Sequence, residues 1–299
     1  MKFISALLVV GCTQLVSMNP SQANTKNLVP NLFSDIGFLG RNLDLHVEMF
    51  PKDLVNTKEF YAGKNILFVP GGPSSVKGEL VRNFDVPEEN VVTCDIEYPN
   101  GGDLEENAQK LEKTIFSAED RFKVLYGIAN NVNWDAVDGA ANIFGIRDLK
   151  ERRQNYINHM NALKENNRVF IEDYRQHPEW MVHCDISDLP DEVSSRQYDI
   201  IISANLLHLY NHVLSDDFHL KAYEQLTSLL APGGSLLVFP ITSIMGKDHK
   251  LVDDIIVDLE DKGFRVELVR SDSPSTNDYY KKLFKLDFGG AFYLRITAP

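Results

Sequence analysis

Asn65 to Ser75 reads N-I-L-F-V-P-G-G-P-S-S, and the reading of that stretch decides the fold. Ile66, Leu67, Phe68 and Val69 form a short continuous apolar run, suited to a strand covered on both faces. Pro70, Gly71, Gly72 and Pro73 then break it. Ser74 or Ser75 can cap a helix whose apolar side is Leu80, Val81 and Phe84. Strand, glycine loop and helix N-terminus in that order let a ligand approach the backbone closely, because glycine puts no side chain in the way.

The next apolar segment, Asn90 to Asp95 (N-V-V-T-C-D), predicts a second strand with an acid at its C-terminal end. In nucleotide-binding doubly wound folds such a carboxylate accepts hydrogen bonds from ribose hydroxyls. An Asp that merely ends a strand at a turn is the plainer alternative. A third strand is expected over Trp180 to Cys184, followed by D-I-S-D-L-P (Asp185 to Pro190), and a fourth over the β-branched run Asp199 to Ser203. A helix from about Asp216 to Leu230 stops at A-P-G-G (Ala231 to Gly234), and Ser235 to Pro240 is a fifth strand. An amphipathic helix over Lys250 to Lys262 ends at Gly263, and two last strands fall near Phe264 to Arg270 and Ala291 to Thr297. Strands alternating with helices predict an α/β sandwich with a mostly parallel sheet.

Residues 103–178 carry helical patterning, with Leu104, Ala108, Leu111 and Ile115 on one face and Tyr156, Ile157, Met160 and Leu163 on another. Residues 129–145 are too rich in Asn, Asp and Gly for a good helix. This segment reads either as an insertion over a site or as a helical layer with solvated charges. Residues 24–60 read as an arm that packs a short helix onto the main domain, 61–299.

Residues 1–23 have the form of an export leader: Lys2, then an apolar run from Phe3 to Val10, then Ser21-Gln22-Ala23 as a small-x-small cleavage pattern. Val9-Val10-Gly11-Cys12 also resembles a bacterial lipobox, which would make Cys12 a lipid anchor and place the chain in the envelope or periplasm. Translation from Met18 would instead leave it in the cytoplasm. The other two cysteines, Cys94 and Cys184, are too few for a disulfide framework and lack metal-ligand spacing, so free buried thiols are expected. With 43% hydrophobic residues in 299, the chain can bury a full core, and a net charge of −13 argues against a nucleic-acid partner.

The order of glycine loop, acid after strand two, D-I-S-D-L-P after strand three, Y-D-I-I-I-S-A-N before a helix, and L-L-A-P-G-G-S-L-L-V-F-P resembles the class I S-adenosylmethionine-dependent methyltransferases over residues 60–299. G-G-P-S-S, L-L-H-L-Y and L-S-D-D-F-H resemble a bacterial subgroup of that fold, which brings no substrate with it. The resemblance implies a doubly wound, Rossmann-like, mostly parallel seven-stranded sheet, with strands two and three on the same side of strand one and a helical insertion between them. It implies S-adenosylmethionine as cofactor, with Gly71, Gly72 and Ser74 facing its methionine part and Asp95 its ribose. Asp185 and Ile186 would lie beside the adenine, and Asn205 near the sulfonium and an unassigned small-molecule or other acceptor. Two positions depart from the family pattern. Phe68 stands where an acid usually holds the cofactor's amino group, and Pro70 stands where a glycine N–H is usual.

His208 is a candidate general base, and with His212 it shares one face if that segment is helical. His219 reads as a structural residue near a helix start, and no metal site is expected. Two further classes compete with the enzyme: a non-catalytic ligand-binding or structural envelope protein of the same fold, and a nicotinamide-dependent oxidoreductase. The loop lacks the G-x-G-x-x-G spacing that the latter needs.

Overall fold

Strand β1 (Ile66–Phe68) is three residues long, and all three are fully buried. Both of its faces are covered, as its unbroken apolar run requires. The computed structural model describes residues 57–113, 165–204, 206–208, 214–239, 251–270 and 292–299, with 43, 50, 55, 115 and 241 as single positions. The leader with Cys12 and Met18, most of the arm, the stretch 129–145, Asn205 and His212 lie outside these residues.

Ahead of β1, helix α1 (Lys58–Tyr61) buries Tyr61. After β1, helix α2 (Val76–Phe84) starts at Ser75. The Ser74 hydroxyl accepts from the Val76 N–H at 3.1 Å, while the Ser75 hydroxyl donates to Glu79 at 2.5 Å. Strand β2 (Val91–Asp95) follows, then helices α3 (104–113) and α4 (165–176) in the segment before β3. Strand β3 (Met181–His183), helix α5 (Asp191–Ser194) and strand β4 (Tyr198–Ala204) come next. Helix α6 (Asp216–Ser228), strand β5 (Leu230–Phe239), helix α7 (Leu251–Asp261) and strands β6 (Arg265–Arg270) and β7 (Phe292–Thr297) complete the described chain.

The seven strands form one sheet in the order β3-β2-β1-β4-β5-β7-β6. Strands two and three therefore lie on the same side of strand one, as expected. The expected mostly parallel sheet is corrected to a mixed one. Pairs β1–β2, β2–β3, β1–β4 and β4–β5 are parallel, whereas β7 enters between β5 and β6 and runs antiparallel to both. Alternating apolar residues specify which face of a strand is buried but carry no sign of its direction.

One face of the sheet packs Leu67, Cys94, Ile201, Leu236 and Val238 against Leu226 of α6 and Ile255 of α7. The opposite face packs Ile66, Phe68, Ile202 and Phe239 against Leu80 of α2 and against Phe50 and Val55 of the arm. A third cluster beside β3 joins Tyr98, Leu111, Phe170 and Trp180. Residues between β2 and β3 thus add a core at one edge of the sheet.

Lys77, on the first turn of α2, is 9% exposed, and its Nζ lies 5.7 Å from the centre of the Trp180 ring. Burial lowers its pKa from 10.5 to about 8, against the pull of the Glu88 and Glu179 carboxylates. Since the folded-state value lies below that of the unfolded chain, the unfolded state binds more protons between about pH 8 and 10.5. Stability from this side chain therefore rises with pH through that window, and at pH 7 the buried ammonium is destabilising. Lys77→Met should raise the unfolding free energy at pH 7 by about 1 to 3 kcal/mol and flatten the slope above pH 8. Urea unfolding at pH 7 and 9 checks this; a variant weakened at pH 7 would mean that the contact with Trp180 outweighs the desolvation.

Candidate functional site

Parallel pairing aligns Cys94 with Val182 and Asp95 with His183, so β2 and β3 end together. Asp95 and Asp185 are therefore brought to one edge of the sheet, each just past a cysteine. Cys94 and Cys184 form a disulfide, with Cα atoms 5.6 Å apart, inside the span such a bond needs. The expectation of free thiols is thereby corrected. The Cys184 N–H also donates to the Asp95 carbonyl at 3.0 Å, so a hydrogen bond and a covalent bond hold this edge side by side.

Asp95 is 6% exposed. Its Oδ2 accepts from the Gly72 N–H at 2.8 Å and its Oδ1 from the Glu97 N–H at 2.9 Å. Burial raises its pKa, opposed by these two N–H donors. Asp185 is half-buried and closes a tight turn: its Oδ1 accepts from the backbone N–H and the hydroxyl of Ser187, both at 2.8 Å. Ile186 is buried beside it.

The glycine loop leans onto the end of β2. Gly71 donates to the Cys94 carbonyl at 2.7 Å, Gly72 to Asp95, and Ser74 to the Gly72 carbonyl at 2.8 Å. Pro70 and Pro73 have no N–H to give, so every backbone donor of residues 70–74 is either absent or engaged within the protein. The Gly72 carbonyl also accepts from the Tyr98 hydroxyl at 2.6 Å. A Cβ built on Gly71 would collide with that same hydroxyl. Gly71 is required here by close approach, but the group that approaches is a side chain of this protein.

S-adenosylmethionine can be tested against this arrangement by its two halves. A ribose needs an acceptor, and an ionised carboxylate offers about four lone-pair sites; two of those on Asp95 are taken by the Gly72 and Glu97 N–H groups, which leaves acceptor capacity on this carboxylate. The methionine end needs space and donors at the glycine loop, and with Tyr98 in place it does not fit.

His208 is fully buried, with its Nε2 2.7 Å from the Tyr223 hydroxyl and its ring stacked on that of His219 at 5.4 Å. His219 is also buried, and its Nδ1 lies 2.7 Å from the Ser215 carbonyl at the start of α6, the structural position expected for it. Sequence reasoning missed Tyr98 and the cysteine pair. The pair had a signal, since each cysteine directly precedes an acid expected to end a strand. Tyr98 had only its place in the turn after β2.

Among the described residues, no helix is long and apolar enough to cross a membrane. No family model and no curated protein matches the chain. Solved structures similar to it include the N-methyltransferase NodS from Bradyrhizobium japonicum WM9, determined with S-adenosyl-L-homocysteine (16% identity, TM-score 0.30, covering 44% of this chain and 62% of NodS). An O-methyltransferase family protein from Burkholderia thailandensis is 12% identical, with a TM-score of 0.29 over 46% of this chain and 41% of that one. A possible exported protein from Bordetella parapertussis is 13% identical, with a TM-score of 0.35 over 97% of this chain and 79% of that one. The match thus spans less than two thirds of the NodS chain in that complex and of the O-methyltransferase family protein.

Proposed function

We propose that this chain is a methyltransferase-like protein that binds S-adenosylmethionine at the carboxyl ends of its parallel strands, beside the reversal between β1 and β4, with the nucleoside half reaching the ends of β2 and β3. The strand order is the observation that carries the reading. It reverses direction between β1 and β4, and open α/β sheets take their ligands outside the carboxyl ends of the strands at such a reversal. Asp95 would accept from the ribose hydroxyls, and Asp185 from the adenine amine with Ile186 beside the ring. The methionine part would reach Gly71, Gly72 and Ser74 only with Tyr98 displaced from the glycine loop, and the acceptor would lie on the side of Asn205. Bound S-adenosylmethionine supplies an electrophilic methyl group. The residues of the chain would supply orientation and a shaped pocket, which is most of what an in-line displacement needs.

Calorimetry with S-adenosylmethionine tests the assignment. Asp95→Ala should weaken binding by about 1.5 to 3 kcal/mol, the range for hydrogen bonds to a charged group. Equal affinity in the two proteins would remove the cofactor.

A second reading, a non-catalytic envelope protein of the same fold, is favoured by the Cys94–Cys184 disulfide. Such bonds persist in oxidising compartments, where the leader would deliver the chain and where the cytoplasmic pool of S-adenosylmethionine is out of reach. Mass determination of the native N-terminus separates the two: acylated Cys12 or a start at Asn24 means export, and an intact Met1 in the soluble cytoplasmic fraction rules it out.

A further inference from the structure

We infer that Tyr98 occupies the ligand crevice and sets access to it, so that the glycine loop receives a ligand only after this side chain has left. The inference rests on the reading that the crevice binds S-adenosylmethionine. Its ground is the double use of the glycine loop: Gly71 has no side chain where the Tyr98 hydroxyl lies, and both polar groups of Gly72 are engaged by the segment that begins with Asp95.

Tyr98 is held at three points. Its hydroxyl donates to Gly72, its ring stacks on Phe170 of α4 at 5.9 Å, and its carbonyl lies 2.7 Å from Nδ1 of His183. It is 2% exposed, and burial pushes its hydroxyl pKa well above the usual value, so it stays a neutral donor at physiological pH. The segment that carries it ends at Gly101 and Gly102, with φ of 71° and 96°. These two residues, free of Cβ constraints, form a natural pivot for the turn. The Asn107 amide, which donates to the Gly101 carbonyl at 2.7 Å, fixes the far side of that pivot to α3. Phe170 lies in α4, so Tyr98 joins the third core cluster to the glycine loop.

A crevice filled by its own side chain binds with an apparent affinity reduced by the fraction of time it is open. Removing the plug should therefore tighten binding without any new contact to the ligand. S-adenosylhomocysteine is titrated by calorimetry into the full chain as wild type, Tyr98→Phe, Tyr98→Ala and Asp95→Ala, with circular dichroism and melting to verify folding. The expected result is a gain of about tenfold or more for Tyr98→Ala, and a smaller gain for Tyr98→Phe. The phenylalanine variant keeps the stack on Phe170 while releasing the Gly72 carbonyl, so it tests the inference even if the alanine variant fails to fold. Wild-type or weaker affinity in folded Tyr98 variants, with Asp95→Ala still impaired, would overturn the plug and leave the cofactor reading standing. No binding by any folded variant would overturn both.

Discussion

Replacing both halves of the β2–β3 cross-link, Cys94→Ala with Cys184→Ala, is expected to lower the unfolding free energy by about 3 to 5 kcal/mol. The bond joins residues 90 apart in sequence. In the chain-entropy account a closed loop of about 100 residues is stabilising by about 4.7 kcal/mol, and residual structure in the unfolded chain reduces that figure. Both cysteines are also buried, at 0% and 3% exposure, so their loss thins the packing between the sheet and α5 to α7. Urea unfolding of the wild type with and without reductant, beside the double variant, measures the effect. A difference under about 1 kcal/mol, or two free thiols counted in the native protein, would show that the bond does not stabilise the chain. Ligand binding provides a second readout, because the bond fixes the ends of β2 and β3 from which Asp95 and Asp185 emerge.

Arg82→Ala is expected to cost about 3 kcal/mol. The guanidinium of Arg82 on α2 holds both carboxylate oxygens of Asp173 on α4, at 2.8 and 3.1 Å. Asp173 is 4% exposed whereas the side chain of Arg82 is 45% exposed, so the two truncations are unequal. Removing the arginine strands a buried charge, a change of about 3 to 5 kcal/mol, with the lower end expected because water can enter from the exposed side. Asp173→Asn, which leaves the arginine facing solvent, should cost less. The ordering Arg82→Ala worse than Asp173→Asn in denaturant melts is the discriminating outcome, and the reverse order would mean that Asp173 is rehydrated once its partner is gone. Gly78 is part of the same device, since a Cβ there would collide with the Arg82 guanidinium.

The elements were legible because each rests on a local pattern. The run Ile66 to Val69 is apolar on both sides because β1 is covered on both sides, and Asp95 ends its strand where the polar turn begins. Two features that depend on distant segments meeting were not legible, although the resemblance did imply β2 and β3 on one side of β1. The direction of β7 depends on its neighbours β5 and β6, and the disulfide depends on β3 being laid beside β2. The glycine loop was the most misleading signal. Glycines that admit a ligand and glycines that admit a tyrosine look the same in sequence, because both are requirements for an absent Cβ. The strand ends that carry Asp95 and Asp185 were thus readable from local pattern, and the contact of Tyr98 with the glycine loop was not.

The Cys94–Cys184 bond turns the stretch from β2 to the end of β3 into a covalent ring closed at its base. A protease that cuts once anywhere inside that ring severs the backbone without releasing a piece: on a denaturing gel the nicked molecule runs as one band until a reductant parts it into two. The polypeptide can therefore be opened at its insertion and remain, by mass and by connectivity, a single molecule.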